Sequence, residues 1–414
     1  MAGNSYNAMD DLQVIVDEFE RFIKFVEEQK PKLSSKKLNL GKKDAFALNS
    51  LLQNKRAVKG PHYTQEQYPM IDLLYSLARD GELYVIGNDH KGSIVFTKTP
   101  RLEEYMELNI YEKYIFLLHT YLTAYDFKNK LSEMGLHMNI VSDSSREGLL
   151  NVLAKSNEGQ RVTREEHNSI IFYFSQGADL LYHLSYFGFC DLELIEEAQF
   201  RYEQRVRSII PTSLGIKASR VIKKAIKEYC RNSDIRFVEL FFDLRDKAEG
   251  LLDIESHFFS HLKTIFPKGY VKDTVQSDYE LDSSGSYTFK VSLAHSKKIK
   301  IWRKIRLSHH HLLYHLHQAI QEAFEFDDDH PYLFCFGSGS IQDGTCIYSY
   351  LSDDHMFTTL DYTIGDLGLV KGQRFYYLFD FGHSWWLEIY VTGIDKDSPL
   401  LSDYEIIAQN NNKQ

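Results

Sequence analysis

Apolar residues recur at helical spacing from the start of the chain. Leu12, Ile15, Phe19, Phe22 and Val26, with Val16 and Ile23 beside them, predict a first amphipathic helix. Ala45, Leu48, Leu51 and Leu52 predict a shorter second one, and Ile71, Leu74 and Leu77 a third near Pro69–Arg79. Thr64 and Gln67 have capping-box spacing ahead of the third, while Pro69 falls too early for a long uninterrupted helix. Leu83–Ile86 and Ser93–Thr97 flank Gly87-Asn88-Asp89-His90-Lys91-Gly92, which predicts a hairpin with an exposed tip. Three helices and a hairpin are the element order of a winged helix, expected over residues 1–127. An amphipathic helix from Glu103 to Tyr125 closes that segment.

Residues 128–275 repeat the order more loosely. Helices are expected at Ser145–Lys155, Thr163–Phe174 and Ala178–Phe187, and extended runs at Leu192–Ile195 and Val206–Ile210. Pro211-Thr212-Ser213-Leu214-Gly215 opens a further helix through Val221, Ile222, Ala225 and Ile226. This is the expectation for a second winged-helix-like module, with a helical bridge over Phe237–Phe266. Gln276–Ser286 is polar and reads as a linker.

The pattern then changes to period two. Tyr287–Leu293 and Ile299–Ile305 alternate as paired strands, and Leu313, Leu316, Ile320 and Phe324 place a helix over Leu312–Phe324. Tyr332–Phe336, Cys346–Tyr350, Phe375–Phe379 and Trp385–Val391 are further strands, the last two a hairpin, with a short segment at Ile364–Leu369 before them. The expectation is an antiparallel α+β domain over residues 287–394 with one principal helix, followed by a polar tail over residues 395–414. The chain as a whole reads as α+β, with helical modules first and a sheet domain last.

At 414 residues, with 43% apolar and 14% aromatic residues, the chain has ample material for two or three cores. The segment Met1–Asp10 has no apolar signal region, and no apolar run is long enough to span a bilayer. Cys190, Cys230, Cys335 and Cys346 form no C-x-x-C pair, so buried reduced thiols in a cytoplasmic protein are expected.

Two stretches in the sheet domain carry a resemblance. One is Ile301-Trp302-Arg303-Lys304-Ile305 with Leu316-His317 and Ala323-Phe324 after it; the other is Phe379-Asp380-Phe381-Gly382-His383-Ser384-Trp385-Trp386. Over residues 286–394 the chain resembles the plasmid pRiA ORF-three-like family, related to an insertion-sequence accessory protein of the TnpR type. The resemblance implies the α+β fold and a mobile-element context; the family has no agreed activity. Its usual motifs are an early His-x-His-x-Phe and a late Asp-Phe-Gly-Asp-x-Trp-x-His. Here the first reads His330-Pro331-Tyr332-Leu333-Phe334, and the second has His383 and Leu387 at its departures. Losing half of the convergent ligands argues against an obligatory metal or catalytic site. Asp380-Phe381-Gly382 reads instead as a tight bend that uses the freedom of glycine.

The formal charge of −10 excludes a molecule that coats nucleic acid over its whole surface. Residues 30–60 reverse that sign: Lys30, Lys32, Lys36, Lys37, Lys42, Lys43, Lys55, Arg56 and Lys59 stand against Asp44 alone. In a winged helix this patch lies around the second helix and can meet phosphates. The third helix offers Gln65, Glu66, Gln67, Asp72 and Arg79, poor readers of base edges. A second patch alternates, with Lys298, Lys300, Trp302, Lys304 and Arg306 on one strand face opposite Ile299, Ile301 and Ile305. Such a face can track a phosphate backbone and stack a base, or can guard an edge strand.

His309, His310, His311, His315 and His317 cluster at a helix start. His311 and His315 have metal-ligand spacing but no accompanying acid or cysteine. Glu325, Asp327, Asp328, Asp329, Asp353 and Asp354 lack calcium-loop spacing and read as solvated loop. No nucleophile elbow or phosphate-binding glycine loop is present.

The leading expectation is a non-enzymatic adaptor without a cofactor. It would bind DNA through the local basic patches, or a protein partner, and would not contact a membrane. Two alternatives stay open. One is a divalent-metal hydrolase or nuclease using Asp380, His383, His330 and His317; the other is a structural or oligomerising protein.

Overall fold

The computed structural model describes residues 8–125, 143–163, 178–195, 206–233, 254–294 apart from 278 and 280, 301–337 apart from 328, 344–349 and 358–410. Within these the chain is an α+β protein. The expected helices over Thr163–Phe174 and the first part of Phe237–Phe266 fall largely outside the described residues, as do Lys298 and Lys300.

The first segment comprises α1 (Ala8–Gln29), α2 (Lys42–Leu51), a 3₁₀ turn at Gln65–Gln67, α3 (Pro69–Asp80), β1 (Tyr84–Asn88), β2 (Ile94–Lys98), α4 (Pro100–Glu107) and α5 (Ile110–Thr123). The Gln67 side chain accepts the Thr64 amide at 3.0 Å, so the predicted box closes the 3₁₀ turn rather than α3. Pro69 is not misplaced. It is the first residue of α3, where a missing amide hydrogen costs nothing. The single helix expected over Glu103–Tyr125 is two helices, α4 and α5. Asn109 breaks it by accepting the amides of Tyr111 and Glu112 at 2.9 and 3.1 Å, while Glu112 accepts the Asn109 amide at 2.9 Å. That reciprocal box is stronger than the continuous apolar period that suggested one helix.

The middle segment contains α6 (Asp143–Lys155), β3 (Val162–Thr163), α7 (Ala178–Tyr186), β4 (Cys190–Leu194), β5 (Val206–Pro211), α8 (Ser213–Ser233) and α9 (Ile254–Leu262). Its three strands form a small antiparallel sheet in the order β3-β5-β4. One continuous apolar cluster runs from Leu12 and Phe19 through Ile71, Tyr114 and Phe187 to Ala218, Phe258 and Val275. The first and middle segments therefore share a core.

The last segment contains β6 (Ser286–Leu293), β7 (Trp302–Ser308), α10 (Leu313–Phe324), β8 (Tyr332–Gly337), β9 (Gly344–Tyr348), β10 (Arg374–Phe379), β11 (Trp385–Asp395) and β12 (Glu405–Asn410). They make a seven-stranded sheet in the order β12-β7-β6-β11-β10-β8-β9, antiparallel at every step. Helix α10 lays Leu313, Leu316, Ala319 and Ile320 on one face, against Phe289, Ile305, Phe375, Tyr377 and Ile389. The polar tail expected after Ile394 holds a strand. Glu405–Asn410 pairs with β7, so β7 is an interior strand and Lys304 does not guard an edge. Alternation explains the miss: β12 buries only every second residue, and those partly, so its apolar signal is faint.

Arg303 shows why this sheet holds its helix. It lies on the covered face of β7, 7% exposed. Its Nε donates to the Ala323 carbonyl at 2.5 Å, its NH1 group donates to the Asn410 carbonyl at 3.3 Å, and the guanidinium lies 4.9 Å from the Phe324 ring centroid. One side chain thus ties the C-terminus of α10 to β7 and β12. Among the described residues no helix is long and apolar enough to cross a membrane.

Replacing Arg303 by methionine leaves a buried helix-end carbonyl without its donor, so urea unfolding should lose about 1.5–3 kcal/mol. Lys304→Ala, one residue along on the open face, should stay within about 0.5 kcal/mol of the parent. Equal losses would refute the assignment of the two faces.

Candidate nucleic-acid interface

The lysine-rich segment begins where α1 ends. Lys30 takes a left-handed backbone (φ 46°) and turns the chain, so that Lys32 bridges Val95 and the Leu33 amide donates to the Ile94 carbonyl at 2.8 Å. The segment thus adds a third extended stretch beside the β1–β2 hairpin. A turn follows at Ser34–Leu38, closed by Leu38 N–H to Ser34 O at 3.0 Å.

That turn meets the C-terminal sheet. The Arg374 amide at the start of β10 donates to the Ser35 carbonyl at 2.7 Å, and the Lys36 ammonium lies 5.1 Å from the Tyr376 ring centroid. The hairpin meets the same domain: Asn88 Nδ2 donates to the Lys371 carbonyl at 2.8 Å, and Val370 is buried in the core of the first two segments. The predicted exposed tip is thus partly engaged. The linker is held as well. The Gln276 amide donates to Glu104 at 2.9 Å, and the Arg101 side chain donates to the Ser277 carbonyl at 2.6 Å.

The face of the sheet away from α10 follows from register; it is open over β7, β6 and β11, while over β10 and β8 Tyr376, Leu378, Leu333 and Cys335 are buried in a cluster of their own. Residues directly opposite across antiparallel strands point the same way. One row reads Lys304, Lys290, Tyr390, Arg374 across β7, β6, β11 and β10, and all four are half-buried. The neighbouring row reads Trp302, Ser292, Glu388, Tyr376. Lys290 lies 5.2 Å from the Trp302 ring centroid, and Arg374 lies 5.3 Å from that of Tyr390. Three strand spacings separate Trp302 from Tyr376, or roughly 14 Å. Lys36, resting on Tyr376, therefore extends the face that carries Trp302 and Lys304. The two basic patches seen in the sequence border one surface. Arg374 also pairs with Glu388 at 3.2 Å; this pair is partly solvated and is weakly held.

The remaining basic residues divide. Lys37 pairs with Glu66 at 3.1 Å. Burial raises the Glu66 carboxyl, but Lys37 and the hydrogen bonds around it outweigh burial and leave it below its ordinary value. Lys42 and Lys43 are exposed on the first turn of α2 and have no ion pair among the described residues. Arg56 is structural: its side chain donates to the Gln67 carbonyl and lies 5.0 Å from the Tyr63 ring centroid. With exposed Lys55 it lines a cleft of about 400 Å³ shared with Tyr68, Tyr182, Tyr186 and Asp191, away from the sheet face. Helix α3, expected from the sequence to be the recognition helix of a winged helix, is buried at every residue from Pro69 to Ala78 and cannot enter a groove.

The polar set at the other end of the domain is only partly assembled. His383 Nδ1 lies 2.5 Å from Asp380 Oδ2, and His330 Nε2 lies 3.7 Å from the same oxygen. His317 is elsewhere, fully buried, 2.8 Å from the Tyr377 hydroxyl and stacked on Tyr332 with centroids 3.6 Å apart. The bend is set by Asp380, not by Gly382. Asp380 itself has φ 51°, and its Oδ1 accepts the amides of Gly382 and His383 at 2.9 and 3.2 Å. His311 and His315 do not share a helix face, because His311 precedes α10. Each Nδ1 accepts a backbone amide at 2.9 Å, from Ser308 and Leu312. Among the described residues no group of three or more His, Cys, Asp or Glu side chains is arranged to hold a metal ion.

Lys290, Tyr390, Arg374 and Tyr376 were not singled out in the sequence. They lie on the face away from α10, but β10 is buried from Phe375 to Phe379 and shows no alternation, and only the strand order places the four in adjacent rows.

The hydrogen bond from His383 holds the Asp380 carboxyl below its ordinary value, and the two amide donors add to this. The unfolded value is about 3.9, so the stabilisation is complete above it and is lost as pH falls through the lower folded value. Asp380→Asn should therefore flatten the acid side of the stability profile below about pH 5, read as urea midpoints against pH. A profile that overlays the parent would contradict the assigned bond.

No curated protein matches the chain. A crystal structure of a protein of unknown function from Methanosarcina mazei Go1 aligns over 30% of this chain and 69% of its own, with 20% identity and a TM-score of 0.26. Residues 285–413 match the family model of plasmid pRiA4b ORF-3-like protein, and it is this C-terminal part that is similar to that family.

Proposed function

We propose that the chain is a non-enzymatic adaptor that holds a single nucleic-acid strand on the open face of its C-terminal sheet. The observation that carries the reading is the row Lys304, Lys290, Tyr390, Arg374 beside Trp302, with the exposed Lys36 at its far margin. Cations set beside aromatic rings on a sheet are suited to phosphates and unstacked bases together. Sequence readout in a major groove is disfavoured, since α3 is buried. The N-terminal segment is then a winged-helix-like scaffold whose hairpin and lysine turn brace the sheet. The family match supports a plasmid or mobile-element setting, in which such an adaptor would work in the cytoplasm without a membrane contact.

The test is fluorescence anisotropy with a labelled single-stranded oligonucleotide across salt concentrations. If Lys36, Lys290, Lys304 and Arg374 each neutralise one phosphate, log K against log salt should have a slope of about −2.8. Lys290→Glu with Lys304→Glu should flatten the slope, and Trp302→Ala should cost about 1–3 kcal/mol of binding. A salt-independent or absent interaction would overturn the reading, and retained binding in the double reversal would move the site off this face.

A further inference from the structure

Cys335 and Cys346 stand directly opposite each other in the β8–β9 pair, with their Sγ atoms 2.8 Å apart. They are separate thiols, Cys335 buried and Cys346 half-exposed. A disulfide needs about 2.05 Å between sulfurs and Cα atoms about 4.4–6.8 Å apart, a range that covers directly opposed residues of an antiparallel pair. The bond therefore needs no change of strand register. Cys190 is buried in the core of the other segments, and Cys230 lies on α8, so neither belongs to this sheet.

We infer that Cys335 and Cys346 are a reversible disulfide site, formed by exchange with a low-molecular-weight disulfide such as oxidised glutathione. Cys346, the more accessible thiol, loses its proton to solvent and attacks one glutathione sulfur, releasing the other glutathione as thiolate. Cys335 then attacks the mixed disulfide at the Cys346 sulfur and displaces the second glutathione. Two protein thiols are oxidised, one glutathione disulfide is reduced to two thiols, and the charges balance through the released protons. Burial of Cys335 leaves it poorly placed to meet glutathione directly but in contact with the sulfur it must attack. The Cys346 thiol is held well above its ordinary value, by its hydrogen bond to Cys335 and then by burial. Thiolate is scarce at neutral pH, so formation is slow and gains about tenfold per pH unit below that raised value.

The product joins edge strand β9 to β8, in the row that continues to Tyr376 and hence to the Lys36 contact. Oxidation thus fixes the margin of the sheet on which the lysine turn rests.

The experiment uses the reduced full-length protein, incubated with oxidised glutathione over a pH series, quenched by alkylation and mapped by peptide mass spectrometry. The expected product is a Cys335–Cys346 cross-linked peptide, with the loss of two hydrogens reversed by dithiothreitol and with Cys190 and Cys230 in peptides that carry neither a cross-link nor glutathione. Cys335→Ser should instead accumulate the glutathione adduct at Cys346. Both native thiols remaining alkylatable, or an adduct on Cys346 that persists in the parent protein, would overturn the proposal. Unfolding is controlled by the alkylation of Cys190, which should stay slow throughout.

Discussion

The docking of the lysine turn after α1 against β10 decides where Lys36 meets the sheet. Two backbone contacts fix it: the Arg374 amide on Ser35 and the Leu33 amide on Ile94. The first ties the turn to the sheet domain, the second to the β1–β2 hairpin. Between them Lys36 lies over Tyr376, and Asn88 reaches Lys371. A charged segment in a chain of net −10 is thereby neither buried nor left to wander, but held at the margin of the open sheet face. A cation resting on an aromatic ring keeps much of its hydration while losing freedom, and this is the state in which a phosphate can be met at small entropic cost.

Helices and strands with strong periodicity were legible in the sequence. The α1 pattern from Leu12 to Val26 and the strands at Tyr287–Leu293 and Phe375–Phe379 needed only local alternation. What failed was set by single polar side chains. Asn109 split a helix whose apolar period runs on, and Glu405–Asn410 forms a strand because β7 offers it an unpaired edge. Asp380, not Gly382, adopts the left-handed conformation, since its own carboxylate collects two amides. Lys304 and Trp302 could be named from one strand. Lys290, Tyr390 and Arg374 could not, because cross-strand neighbours are a property of strand order.

Histidines and acids that invite a catalytic interpretation have conformational work in this fold. His311 and His315 cap the entry to α10, His317 stacks in the core, and His383 steadies a bend through Asp380. Arg303, the conspicuous neighbour of Trp302, holds the other end of α10. The face of the sheet away from α10 carries Lys304, Lys290, Tyr390 and Arg374, each half-buried.

The most direct measurement is a double-mutant cycle on the contact that joins the two basic patches, Lys36→Ala against Tyr376→Leu, followed by urea unfolding. The account predicts a coupling of about 0.5–1 kcal/mol, the worth of a partly solvated cation over a ring. Losses that add to within about 0.3 kcal/mol would mean that Lys36 does not rest on the sheet, and the shared face would be lost with it.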